Sequence, residues 1–88
     1  MTLAWTDSAW DDYLYWQKND KKILKRINDL VKDILRHPET GKGKPEQLKF
    51  NLAGKWSRRI NREHRLVYQP LDDMVIIFQC RYHYAAIR

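Results

Sequence analysis

The sequence predicts a single α+β domain in which a helical hairpin covers one face of an antiparallel sheet. Two segments in the N-terminal half repeat apolar residues at spacings of three and four, as amphipathic helices do. Three segments in the C-terminal half instead alternate or run as short strands, and brief links join them. At 88 residues the chain is long enough for one hydrophobic core, so residues 1–88 are interpreted as one domain.

The N-terminal half is predicted to hold a short strand followed by two helices. The stretch Thr2 to Trp5 suits an edge strand. Thr6, Asp7 and Ser8 are good N-cap residues for the first helix. Asn19-Asp20 ends that helix and caps a second one, which Arg36-His37-Pro38 stops because proline disfavours helix in the preceding residue. The two helices would form a hairpin with one apolar side.

A loop rich in Gly and Pro, Pro38 to Pro45, follows the second helix. It lacks the spacing of a Walker phosphate-binding loop and no strand precedes it, which excludes a nucleotide triphosphatase. The residues from Glu46 to Asn51 fit either a short helical turn or an extended segment.

Three strands are predicted to close the chain as a meander: Trp56–Asn61, His64–Gln69 and Met74–Tyr84. The first half of the last strand, Met74 to Phe78, is the longest apolar run and is predicted to be buried on both faces. His64 alternates with apolar residues and is interpreted as structural. With both helices on one face of the sheet, the uncovered face would carry the basic residues.

Basic residues are concentrated in one segment of the chain. Seventeen Lys and Arg oppose eleven Asp and Glu, for a net charge of +6. The segment from Gly41 to Arg65 accounts for that whole excess, through Lys42, Lys44, Lys49, Lys55, Arg58, Arg59, Arg62 and Arg65 against Glu46 and Glu63. Such a face favours a polyanion, RNA or DNA above all, although a solvated face or a patch for an acidic protein fits the charge as well.

Cysteine content and hydropathy argue against a disulfide-linked, metal-binding or membrane-spanning protein. Cys80 is the single cysteine, so no internal disulfide forms, and a multi-thiolate metal site cannot be built from this chain alone. No Asp, Glu and His cluster has metal spacing, and no stretch approaches the ~18 apolar residues of a membrane span. We therefore expect a cytoplasmic protein without cofactor or metal.

RNA cleavage without a metal requires a base for the 2′-hydroxyl, an acid for the leaving 5′-oxygen, and cations for the phosphorane. Glu46 sits among cations, while Arg65 and His83 lie on strands predicted to be neighbours. Their alternation permits Arg65, Arg81 and His83 to share a face. Glu46 taken alone also fits an ordinary solvated carboxylate, so only the combination indicates chemistry.

Several stretches spread over most of the chain carry a family resemblance: Trp10–Gln17, Gly41–Glu46, Trp56–Ile60, Glu63–Tyr68 and Cys80–Tyr84. Through them the sequence resembles the YoeB-type mRNA endonuclease toxins of the RelE/ParE superfamily. The resemblance implies a RelE-like microbial RNase fold. It also implies ribosome-dependent, metal-independent cleavage of mRNA in the A site, and hence inhibition of translation.

The resemblance assigns roles to individual residues. It implies that Glu46 is the general base, that His83 is the general acid, and that Arg65 stabilises the transition state. Tyr84 would help to position the nucleotide at the scissile bond. Among the remaining cations, it implies contacts to the phosphate backbone, or support of the site, by Lys49 and Arg59, with Arg81 in the same group.

The resemblance also implies partners and sets the alternatives. The partners would be the ribosome, mRNA and a YefM-type antitoxin, with operator DNA reached only through that antitoxin; a homodimer stays open. A ParE-like gyrase inhibitor shares the fold but typically lacks the acid and base pair. A non-catalytic RNA-binding module is the other alternative. The chain departs from the family pattern by continuing with Ala85 to Arg88 beyond the His83-Tyr84 pair.

Overall fold

The computed structural model describes residues 1–84, so the extension from Ala85 to Arg88 lies outside the described residues. The described chain forms one five-stranded sheet and two α-helices, which confirms the α+β class. Its elements, in chain order, are β1 (Thr2–Trp5), α1 (Asp7–Asn19), α2 (Lys21–Arg36), β2 (Glu46–Gln47), a 3₁₀ helix (Phe50–Leu52), β3 (Trp56–Arg59), β4 (Arg65–Pro70) and β5 (Met74–Gln79).

The strands are arranged in the order β1-β5-β4-β3-β2. The meander of β3, β4 and β5 is antiparallel throughout, as predicted, with strand ends that differ from the prediction by one or two residues at most for β3 and β4. β1 is an edge strand and pairs in parallel with β5, while β2 forms the opposite edge against β3. Glu46 is therefore in an extended strand, and the helical turn begins only at Phe50.

The helical hairpin is held at its predicted caps. The Thr6 hydroxyl accepts a hydrogen bond from the backbone N–H of Ala9 at 3.1 Å and begins α1. The Asp20 carboxylate accepts from the N–H groups of Lys22 and Ile23 at 3.1 and 3.2 Å and begins α2. Within residues 1–84, neither helix is long and apolar enough to cross a membrane.

The core lies between the hairpin and one face of the sheet. The helices contribute Ala9, Trp16, Ile27, Leu30 and Ile34, and the sheet contributes Leu66, Tyr68, Val75 and Ile77. The opposite face of β5 is only half-buried, at Met74, Ile76 and Phe78. The prediction that this strand is buried on both faces is therefore wrong, because both helices pack on the same side.

The last strand is also shorter than predicted, since β5 ends at Gln79 and does not extend to Tyr84. Side chains of α1 take the next backbone groups: Asp12 accepts from the Cys80 N–H at 3.1 Å, and the Trp16 indole donates to the Cys80 carbonyl at 2.8 Å. Tyr82 then adopts a left-handed backbone with φ of +68°, which no strand residue has. The chain thus leaves the sheet and turns back over it.

Candidate active site

The sheet face away from the helices carries a row of side chains from four strands. The register pairs Glu46 with Ser57 and Ser57 with Val67. A register shift between Val67 and Tyr68 then pairs Val67 with Gln79 and brings Gln79 to this face. Side chains on a strand repeat on one face every second residue, so the next pair on this face is Arg59 and Arg65. Glu46 and two arginines therefore share the uncovered face, where the sequence predicts basic residues.

The segment after β5 folds onto this row. The backbone N–H of Arg65 donates to the Tyr82 carbonyl at 2.9 Å. The buried amide of Gln79 donates to the carbonyls of Tyr82 and His83 at 3.0 and 3.2 Å. These bonds carry His83 and Tyr84 to the face where Glu46 lies, although neither residue belongs to a strand.

The result is a small pocket of about 70 Å³. Its lining brings together all four residues assigned to catalysis together with three others: Glu46, Arg65, His83 and Tyr84, with Lys44, Ser57 and Arg59. The Tyr84 hydroxyl donates to Glu46 Oε1 at 3.4 Å, and the rings of His83 and Tyr84 lie 4.1 Å apart between centroids. A carboxylate, an imidazole, a phenol and several cations thus surround one small space.

The Arg65 guanidinium is fixed by hydrogen bonds to backbone carbonyls. The side chain is buried, and its Nη1 donates to the carbonyls of Asn61, Arg62 and His64 at 2.8, 3.2 and 3.1 Å. A cation held in this way costs no reorganisation when charge develops beside it. The pocket therefore has a rigid positive wall.

The other two cations assigned to RNA lie elsewhere. Lys49 is exposed and lines an adjoining groove that shares Glu46 and Tyr84 with the pocket. Arg81 is not brought to the pocket: its guanidinium lies 3.5 Å from the ring centroid of Tyr15 on α1 and 4.7 Å from that of Tyr82. The prediction that Arg65, Arg81 and His83 share a face is therefore wrong for Arg81, because the backbone turns at Tyr82.

Arg58 corrects the prediction of a continuous basic face, since its side chain is fully buried on the helix side of the sheet. It forms an ion pair with Asp33 and donates to the Tyr68 hydroxyl at 3.1 Å. It also donates to the carbonyls of three loop residues, His37, Thr40 and Lys42. Arg58 therefore anchors the loop that leads into Glu46.

The two ionisable partners of Arg58 have shifted pKa values with different causes. The backbone N–H of Lys42 and then the Arg58 guanidinium lower the pKa of Asp33 below its ordinary value of 3.8. Burial raises the pKa of the Tyr68 hydroxyl above 10.0, against the opposing effect of Arg58. Asp33 thus stays a carboxylate, which a fully buried guanidinium needs.

His64 is buried in the place predicted from its alternation. Its Nδ1 accepts a hydrogen bond from the Tyr82 N–H at 2.7 Å, and its ring lies edge-on to Trp16 at 4.8 Å. Two pocket residues, Lys44 and Ser57, were not singled out from the sequence. For Ser57 the alternation of the strand held a signal, because Ser57 is two residues before Arg59. Lys44 precedes β2 and has a left-handed φ of +53°, so alternation does not place it.

Comparison with known proteins gives the class and then the family. The fold matches the structure of a YoeB/ParE toxin from Agrobacterium tumefaciens with a TM-score of 0.92 and 49% identity, covering 96% of this chain and 100% of that one. The family model for the YoeB-like toxin of bacterial type II toxin-antitoxin systems matches residues 5–84. The chain therefore belongs to the YoeB-like toxin family.

Relatives from other bacteria agree with that assignment. The toxin YoeB of Escherichia coli is 62% identical over 84 residues, which cover 96% of this chain and 100% of that protein. A heterotetrameric YoeB-YefM toxin-antitoxin complex from Staphylococcus aureus has a toxin chain that matches with a TM-score of 0.88 and 50% identity, covering 96% of this chain and 98% of that one. A YoeB dimer from the same species matches with a TM-score of 0.89, at the same identity and coverage.

Proposed function

We propose that this toxin is a ribosome-dependent endoribonuclease that cuts mRNA in the A site and so inhibits translation. The observation that supports the proposal is the pocket in which Glu46 and His83 meet Arg65 and Tyr84. A carboxylate and an imidazole in a cationic pocket are suited to base and acid catalysis on an RNA phosphodiester. Membership of the YoeB-like family supports the same activity.

In the proposed reaction Glu46 takes the proton from the ribose 2′-hydroxyl, and the 2′-oxygen attacks the adjacent phosphorus. His83 gives a proton to the 5′-oxygen as its bond to phosphorus breaks. The fixed guanidinium of Arg65 stabilises the negative charge on the phosphorane. The Tyr84 hydroxyl, held on Glu46, positions the nucleotide. The products are a 2′,3′-cyclic phosphate and a 5′-hydroxyl, and none of these steps uses a metal.

The remaining cations have supporting roles in the proposal. Arg59 in the pocket and Lys49 in the adjoining groove would contact backbone phosphates. Arg81, packed on Tyr15, would support the site by holding the segment that carries His83 instead of contacting RNA.

Primer extension on translated mRNA after brief induction of the toxin tests the activity. Wild type should produce cuts within codons, with a 5′-hydroxyl on the downstream fragment. Glu46→Gln and His83→Gln should keep ribosome association and lose cleavage by a factor of about 10² or more each. His37→Gln is the matched control, because His37 is an exposed residue at the end of α2.

A 5′-phosphate on the fragment would contradict the 2′-hydroxyl mechanism. Wild-type rates in His83→Gln would contradict the assignment of the general acid. Growth arrest without any cleavage, relieved by excess gyrase, would indicate a ParE-like inhibitor instead.

An antitoxin of the YefM type is the proposed protein partner, as in the heterotetramer of the Staphylococcus aureus relative. Its toxin-binding segment should be acidic with apolar anchors, because it competes with RNA for a basic and partly aromatic surface. Operator DNA would be reached through that antitoxin. A homodimer is proposed from the dimer of the same relative, and the ribosomal substrate implies action in the cytoplasm. Sedimentation of the toxin with and without antitoxin measures both assemblies.

A further inference from the structure

Phe50 presents an aromatic ring to solvent beside the pocket. Its side chain is 91% exposed, and its backbone has φ of +58°, the left-handed region that bulky residues rarely adopt. Neither feature adds to the stability of the isolated chain. Backbone strain of this kind is retained mostly where surrounding structure holds it and where a ligand uses it.

The loop that displays Phe50 is ordered by its own hydrogen bonds. Leu48 N–H donates to the Lys55 carbonyl at 2.9 Å, which closes the base of the loop. Within it, the N–H groups of Leu52 and Ala53 donate to the carbonyls of Lys49 and Phe50 at 3.0 Å each. The backbone that carries the ring is therefore held by a structured 3₁₀ turn.

Phe50 forms one wall of the groove that adjoins the pocket. The groove has a volume of about 520 Å³, within the ~300–1,000 Å³ of ordinary ligand sites. Leu48 and Leu52 add apolar surface, while Glu46 and Tyr84 also line the pocket. A molecule cut in the pocket would thus continue directly into the groove.

The charges around the groove favour single-stranded nucleic acid as the occupant. Lys49 lines it beside Phe50, and Lys44 and Arg59 lie in the adjoining pocket. Single strands are bound where cations track the phosphates and aromatic rings stack on unpaired bases. We propose that Phe50 stacks on the base of a nucleotide next to the scissile phosphate of the RNA, which rests on the proposed function of the pocket.

The test uses the full-length toxin and a single-stranded RNA oligonucleotide that contains 2-aminopurine and is 2′-O-methylated throughout, so that it cannot be cut. Stacking quenches 2-aminopurine fluorescence, and titration with toxin gives the dissociation constant. Phe50→Ala should lose the quenching and weaken binding roughly 5- to 150-fold. Phe50→Trp should keep both. Because cleavage is not measured, the result does not depend on whether the pocket is catalytic.

Two further variants separate stacking from general apolar contact. Phe50→Leu keeps an apolar side chain without a π-face, so it should behave like Phe50→Ala towards RNA. Leu71→Ala is the matched control, because Leu71 is an exposed apolar residue outside the groove. It should bind RNA as the wild type does.

Equal quenching and affinity in wild type and Phe50→Ala would overturn the proposal, as would an absence of quenching by wild type at any toxin concentration. Unchanged RNA binding by Phe50→Ala together with lost binding of the antitoxin would assign the ring to the protein partner. In that case Phe50→Leu would keep the antitoxin bound.

Discussion

The Nδ1 atom of His64 accepts the backbone N–H of Tyr82 at 2.7 Å, which ties the start of β4 to the segment that carries His83 and Tyr84. His64 is itself buried against Trp16, whose indole holds the Cys80 carbonyl. The position of the proposed general acid therefore depends on a histidine that does not line the pocket. His64 is a positioning residue in this arrangement.

Replacing His64 by Leu should loosen the terminal segment. The substitution leaves the Tyr82 N–H without its acceptor, which costs about 1–3 kcal/mol when the group stays buried. We expect faster hydrogen exchange at the Tyr82 amide and slower cleavage with unchanged ribosome binding. His64→Asn offers an acceptor oxygen close to the position of Nδ1 and should restore part of both. Equal exchange at Tyr82 in wild type and His64→Leu would contradict this role.

Stability in acid should report on the pair of Asp33 and Arg58. The folded-state pKa of Asp33 is lowered, so its contribution is complete above the ordinary value of 3.8 and is lost as the pH falls through the lower folded-state pKa. At pH 7, Asp33→Asn leaves the buried Arg58 charge without its counter-ion. The free energy of unfolding should fall by an amount towards the lower end of about 3–5 kcal/mol. The difference from wild type should shrink below about pH 4.

Urea unfolding from pH 2 to 7 measures this difference. Asp29→Asn is the control, because Asp29 pairs with Lys25 on the exposed side of the same helix and its loss should change little. A gap between wild type and Asp33→Asn that stays constant down to pH 2 would show that the carboxylate does not carry the effect.

The helices and the meander could be predicted because their signals are local. The caps Thr6 and Asp20 act within three residues of themselves, and the apolar period of α2 lies within one segment. The alternation of Arg59 and Arg65 likewise placed both on one face once the strands were paired. Such patterns depend on neighbours along the chain, so one sequence contains them.

The fates of Arg58 and of the chain after Gln79 could not be predicted in the same way. In the charge count Arg58 is one more cation. Alternation sets it on the face of Trp56 and Ile60, but only the fold brings Asp33 and three loop carbonyls around it. The strand character of Cys80 to Tyr84 gives way because Asp12 and Trp16, far away in sequence, take the backbone groups of Cys80. Tertiary contacts override local propensity at both places.

Lys49 should contribute to RNA binding through charge alone. It is exposed beside the pocket and is not among the residues that line it, so Lys49→Ala removes a phosphate contact without touching the proposed acid or base. Ribosome association should weaken, and the slope of log affinity against log salt should become less steep by about 1. Lys18→Ala, at the exposed end of α1, is the control. The same slope in Lys49→Ala and wild type would exclude a phosphate contact.

The backbone at Phe50 should make glycine more stabilising than alanine at that position. A left-handed residue with a Cβ costs roughly 1–2 kcal/mol, which glycine avoids, while glycine loses about 0.5–1 kcal/mol of chain entropy in return. Because the ring is 91% exposed, either variant sacrifices little packing. Phe50→Gly should therefore unfold at a higher temperature than Phe50→Ala, and its free energy of unfolding should be higher by up to about 1.5 kcal/mol.

The preceding residue supplies the control for this comparison. Lys49 has φ of −126° and ψ of 174°, an extended conformation that any residue adopts, so Lys49→Gly should be less stable than Lys49→Ala. Thermal unfolding of the four variants measures both orders. If Gly is more stable than Ala at position 50 but less stable than Ala at position 49, the backbone strain lies at Phe50. Loss of RNA binding in both Phe50 variants would show that the strained position serves the ligand. If Ala is more stable than Gly at both positions, the backbone of Phe50 stores no strain.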